Sequence, residues 1–163
     1  MRWLSFFIFA YLTLGLQSGI ARAMEWHSAG PNFVLLAVVF ISLNAPRETA
    51  LLACFMLGAM QDLTSQSTLG LFAFCYGLVA LFIASIQQAV YRRHPVTQFI
   101  LALLAGVLTA IILAIHGWIR PPSPPISPLF VTAVYSAILA PFVLGGLQQI
   151  AGVFHFQSRR GRM

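Results

Sequence analysis

"GAMQDLTSQSTLGLFAFCYGLVALF", Gly58 to Phe82, sets one carboxylate and a short uncharged polar segment between two apolar runs. The run that follows, Leu69 to Val90, is long enough to cross a bilayer, whose hydrocarbon core takes about 20 mostly apolar residues in helical form. The run that precedes it, Thr49 to Met60, is shorter and ends at Gln61-Asp62. Thr64 to Thr68, "TSQST", has no apolar residue to bury and reads as a loop. The whole stretch is a helix–loop–helix corner, with Asp62 at the end of the first helix.

The rest of the chain has the same character. Of its 163 residues, 60% are hydrophobic and 7% charged, against about 25% charged in a soluble domain. The length holds at most about six spanning helices, which leaves no room for a separate soluble domain. The fold expected is all-α: one integral membrane domain, residues 1–163, built as a polytopic bundle of about six helices. They are placed at 3–22, 32–44, 48–62, 69–90, 97–119 and 129–154, with a basic tail over 155–163. The first run ends in "ARA", Ala21 to Ala23, and so imitates a cleavable signal; its length favours an uncleaved first helix. "RPPSPPISP", Arg120 to Pro128, cannot be helix interior because its prolines fix φ and remove donors. Pro141 interrupts the last run and predicts a kink.

A net charge of +6 raises the question of nucleic acid. All nine basic residues are Arg, and each lies outside an apolar run or at its edge. That is the orientation signal of a membrane protein, not a nucleic-acid face. With six helices and both termini cytoplasmic, Arg2, Arg47, Arg92, Arg93, Arg159, Arg160 and Arg162 lie inside, while Arg22 and Arg120 lie outside. A five-helix arrangement has a similar bias, but it leaves Arg47 and Glu48 near mid-membrane at several kcal/mol each.

Small residues recur at helical spacing. Ala50, Cys54, Gly58 and then Asp62 step by four along the third run. Gly70, Ala73, Gly77, Ala80 and Ala84 follow one face of the fourth, Ala102, Gly106 and Ala110 one face of the fifth, and Ala133 and Ala137 one face of the sixth. In lipid such faces let backbones approach closely, so they read as internal packing. Gly15 and Gly19 form a GxxxG pair on the first helix. Asp62 ends a packing face. It reads as a cap or structural anchor for the next helix, with a proton or ion site as the sharper alternative. On that reading Asp62→Asn is expected to be tolerated and Asp62→Leu to lower protein level or partner capture.

Catalytic chemistry is hard to assemble. Glu25, Glu48 and Asp62 are the only carboxylates, and they fall in separate segments. His27, His94, His116 and His155 have no ligand spacing, and with no Lys there is no phosphate loop. Cys54 and Cys75 read as small buried thiols. No enzyme activity, cofactor or metal is expected.

The segment Gly58 to Phe82 resembles the MreD family of rod shape-determining proteins, in which G-x-x-x-D, a short polar loop and L-G-x-x-A precede an apolar helix. Gly58, Asp62, Leu69, Gly70 and Ala73 occupy those places, and with Gly77 they are the structural or partner-contact candidates. "PNFVLL", Pro31 to Leu36, and the basic tail suit the same family. The proline-rich connector and the absence of Lys depart from it. The resemblance implies a non-enzymatic inner-membrane subunit of the cell-elongation machinery. Its fold would be similar to that of energy-coupling-factor transporter substrate-binding subunits. Its partners would be the single-span protein MreC and, through it, MreB, RodA and PBP2; nucleic acid is not among them. The alternative from another class is a vitamin-type substrate-binding transporter subunit, which needs polar or aromatic groups converging near one membrane face.

Overall fold

The computed structural model describes residues 3–23, 30–65, 68–86, 94–119 and 126–154. Among them the chain forms six α-helices and no strand: α1 Trp3–Ala23, α2 Phe33–Asn44, α3 Arg47–Thr64, α4 Leu71–Ile86, α5 Pro95–Ile119 and α6 Ile126–Phe154.

The bundle is built around α2. Its sequence, "FVLLAVVFISLN", has no polar face, and a helix apolar all round belongs in a core or in lipid; here it is in the core. Every residue from Val34 to Leu43 is buried, and α2 packs against each of the other five helices. Ser42 is buried within it. Its hydroxyl donates to the Val38 carbonyl at 2.7 Å, so no polar group is left bare. The helices around it form two hairpins, α3 with α4 and α5 with α6.

The break at Asn44 to Glu48 separates two helices. Ala45 N–H closes α2 on the Ile41 carbonyl at 2.8 Å, and Pro46 stands immediately before α3. Proline loses nothing there, since a helix start has no use for its missing N–H. Arg47 and Glu48 are exposed.

Four described boundaries differ by two or more residues from the sequence-based expectation, and three others by one. α3 continues past Asp62 to Thr64. α4 starts at Leu71, not Leu69, because Gly70 adopts φ +94° and cannot belong to the helix. α5 starts at Pro95 and α6 at Ile126, so Pro128, assigned above to the connector, stands in the first turn of α6. The first N–H groups of a helix have no intrahelical acceptor, so prolines there break nothing. α6 also continues through Pro141. The expected extension of the fourth helix to Val90, the segment Arg120 to Pro125, the basic tail and the side chains of every Arg except Arg47 lie outside the described residues.

Two segments, Pro95–Ile119 and Pro128–Leu147, are long and apolar enough to cross a membrane; Leu4–Ile20, Phe33–Asn44 and Leu71–Ile86 are apolar but shorter. Large apolar side chains also cover the outside of the bundle, among them Tyr11, Phe55, Phe74, Ile100, Val134 and Phe142. A soluble monomer rarely carries apolar surface on this scale.

Candidate functional site: a helix corner capped by Asp62

Gly58 and Asp62 are one turn apart on α3 and share a face. Both are buried, in line with Ala50 and Cys54 on the same helix. At Gly58 the two helices of the hairpin touch backbone to backbone. A Cβ placed there would stand 2.5 Å from the Ala73 Cα, 2.5 Å from the Phe72 carbonyl oxygen and 2.7 Å from the Ala73 nitrogen. Only glycine admits the start of α4 at this point.

One turn further along α3, the Asp62 carboxylate meets that start end-on. Its Oδ2 accepts from Gly70 N–H at 3.0 Å and Ala73 N–H at 3.1 Å, and its Oδ1 accepts from Phe72 N–H at 3.0 Å. The Thr68 carbonyl takes the remaining Leu71 N–H at 3.2 Å, and Phe74 N–H makes the first helical bond, to the Gly70 carbonyl at 2.9 Å. Every orphan donor at the α4 N-terminus therefore has an acceptor. Ordinarily the residue just before the helix supplies the cap from its own side chain. Here that residue is glycine, and the acid is lent by the preceding helix. The negative charge also lies at the positive end of the α4 dipole. This is how a carboxylate only 3% exposed is accommodated between apolar helices.

Gly70 has a different task from the packing role assigned by the sequence. A Cβ there would meet nothing within 4 Å. What requires glycine is φ +94°, a region where a side chain costs about 1–2 kcal/mol. We expect Gly70→Ala to destabilise the protein by about that much and Gly70→Asn by less, since Asn tolerates positive φ. Thermal denaturation of the two variants in detergent would separate them.

The other candidate residues divide. Ala73 is buried against Gly58. Leu69 is 73% exposed at the tip of the corner. Gly77 is half-buried, and a Cβ on it would reach only the Phe55 ring at 3.9 Å, so it is not a close-packing position. On α5 and α6 the small-residue faces do meet: a Cβ on Gly106 would lie 2.8 Å from that of Ala133. Gly15 and Gly19 face no neighbour within 4 Å. Cys54 and Cys75 are free and buried. Among the described residues no three His, Cys, Asp or Glu side chains converge as a metal set would require.

A second polar cluster escaped the sequence reading. Asn32 caps α2 by accepting Leu35 N–H at 2.9 Å. Its amide donates to the Tyr76 hydroxyl of α4 at 3.3 Å, and its backbone N–H donates to the Ser136 hydroxyl of α6 at 2.8 Å. Gln17 of α1 completes the cluster, accepting Phe33 N–H at 2.7 Å and donating to the Pro31 carbonyl at 3.3 Å. Asn immediately before an apolar run is an N-cap signal, and that signal could have found one member of the four. The two polar sites are connected, because Phe72, held by Asp62, packs its ring against Tyr76 with centroids 5.7 Å apart.

Gly58, Asp62 and Gly70 thus combine one close approach, one shared cap and one left-handed turn in a single corner. A family model described as rod shape-determining protein MreD matches residues 1–150. The chain belongs to the MreD family. It is a rod-shape-determining membrane protein on that ground, and the match takes in both the corner and the Asn32 cluster. In MreD terms, the spacing from Gly58 to Ala73 has a physical content: it fixes how α4 starts against α3. No curated protein and no solved structure matches the chain.

Proposed function

We propose that this MreD-family chain is a non-enzymatic scaffold of the cell-elongation complex. It lies in the bacterial inner membrane as a multi-pass bundle with both termini cytoplasmic, and binds an MreC-like single-span protein. Through that partner it joins MreB, RodA and PBP2 in supporting lateral peptidoglycan synthesis. Its bundle would share the architecture of energy-coupling-factor substrate-binding subunits. The observation that carries the reading is the use made of the family residues: Gly58, Asp62, Gly70 and Ala73 lock one helix pair together, as a protein acting through its shape requires. The Arg distribution supports this orientation, in which the Ala45–Pro46 link would lie inside and the Asp62 corner outside.

A pull-down tests this directly. The tagged full-length chain, extracted in mild detergent, is expected to retain a single-span coiled-coil protein and to restore rod shape to cells depleted of their own MreD. Wild-type protein that restores shape without retaining such a partner would remove the scaffold reading. The vitamin-transporter alternative gains nothing from the family match.

A further inference from the structure

The central helix is too short for its surroundings. Twelve residues give α2 a length of about 18 Å, against a hydrocarbon core of about 30 Å. The cluster around Asn32 shows where the shortfall lies. Gln17 meets the start of α2 six residues before α1 ends, so α1 overshoots it by about 9 Å. Tyr76 is five residues inside α4 and Ser136 ten inside α6, overshoots of about 7 and 15 Å. Three helices therefore rise past the start of α2, on the face that carries the Asp62 corner.

Beside the start of α2, between α4, α5 and α6, lies a crevice of about 140 Å³. Phe72, Leu113 and Leu129 line it from α4, α5 and α6, and Asn32, Thr109 and Thr132 are its polar lining residues. Among the described residues no charged side chain lines it. We propose that this crevice is a binding site for a ring-sized, neutral and largely apolar molecule carrying one hydrogen-bonding group, of the class of a phenol or small aryl alcohol.

Volume sets the size of the ligand. An apolar cavity of about 150 Å³ admits benzene, whereas sites for drug-sized ligands and cofactors occupy about 300–1,000 Å³. A single ring fills this volume, whereas a vitamin would stand partly outside it. The lining sets its polarity. Thr109 is buried and donates to the Ala105 carbonyl at 2.9 Å, which leaves its oxygen able to accept. Asn32 gives one amide proton to Tyr76 and has a second. One ligand hydroxyl can serve such groups. A charged ligand would meet no counter-charge among the described lining residues, at heavy desolvation cost. The wall is also well supported: Asp62 holds Phe72, Phe72 backs Tyr76, and Tyr76 is tied to Asn32. The site stands independently of the scaffold reading, since no partner contributes to it.

The test uses the full-length protein purified in detergent and titrated with p-cresol, read by saturation-transfer NMR and thermal denaturation against a detergent blank. Saturable binding with a rise in melting temperature is expected. Ala110 is buried and lines the crevice, so Ala110→Leu should abolish binding while circular dichroism shows an unchanged helix content. If that variant does not fold, Thr132→Leu at the half-buried wall makes the same test. Thr109→Val should weaken p-cresol about tenfold and leave toluene unaffected. Absence of saturable binding to the wild type, or undiminished binding by a folded crevice-filling variant, would overturn the site. Undiminished p-cresol binding by Thr109→Val would overturn the hydroxyl's part in it.

Discussion

Gly58→Ala is expected to be among the most damaging single-methyl additions in this protein, lowering stability in detergent by about 3 kcal/mol, the upper end of the range for overpacking. The added Cβ would lie 2.5 Å from the Cα of Ala73 and from the carbonyl oxygen of Phe72. Neither atom can swing aside as a side-chain terminus could. Relief requires α3 and α4 to move apart, and that same movement lengthens the bonds from Asp62 to Gly70, Phe72 and Ala73. Close packing supplies much of the attraction between helices in lipid, so separation is costly in itself. Two comparisons isolate the cause. Gly106→Ala meets the Ala133 Cβ at 2.8 Å and its Cα at 3.0 Å, a milder clash, and should cost about 1–2 kcal/mol. Gly15→Ala and Gly19→Ala meet nothing within 4 Å; they should be neutral or gain up to about 1 kcal/mol from helix propensity. Denaturation of the four variants in one detergent supplies the ranking. If Gly58→Ala proves as stable as Gly15→Ala, the close approach of α3 and α4 described above is wrong. In cells the same ranking should appear as protein abundance, with rod shape lost first in Gly58→Ala.

These four glycines also mark what can be read from a sequence of this kind. Step-of-four spacing identified Gly58 and Gly106 as packing residues, because a helical face follows directly from 3.6 residues per turn. It identified Gly70, Gly77, Gly15 and Gly19 equally well, and there the structure assigns other roles or none within the bundle. Spacing reports a face; it does not report what lies opposite. Helix number was legible for a similar reason, since apolar runs and the Asn44–Glu48 break are local features. Helix ends were less so. Pro95 and Pro128 look like breakers in a sequence but are harmless in a first turn. The Asp62 cap was legible as a possibility, because an acid near a helix start has few other stable uses in lipid. The Gln17–Asn32–Tyr76–Ser136 cluster was not, because its members come from four helices and only the packing of α1, α4 and α6 around α2 brings them together.

Asp62→Leu should remove the acceptor of three N–H groups at once. Gly70 is exposed and can turn to water, Phe72 is half-buried, and Ala73 is buried. An unsatisfied buried donor costs about 1–3 kcal/mol, so a total loss of about 2–4 kcal/mol is expected, together with fraying of the first turn of α4. Asp62→Asn divides the question. Both carboxylate oxygens are engaged, Oδ2 with two donors and Oδ1 with one. An amide can turn its oxygen toward Gly70 and Ala73, but its NH₂ group then faces the Phe72 N–H, donor against donor. The substitution is therefore not the neutral one that shape alone suggested: about 1–2 kcal/mol should be lost, intermediate between wild type and Leu. Amide hydrogen exchange in detergent provides the local reading. Phe72 should lose protection in Asp62→Asn while Ala73 keeps it, and both should lose it in Asp62→Leu. Should Asp62→Asn instead abolish rod-shape complementation at normal abundance with Phe72 still protected, the charge itself would be required, and capping would not account for this carboxylate.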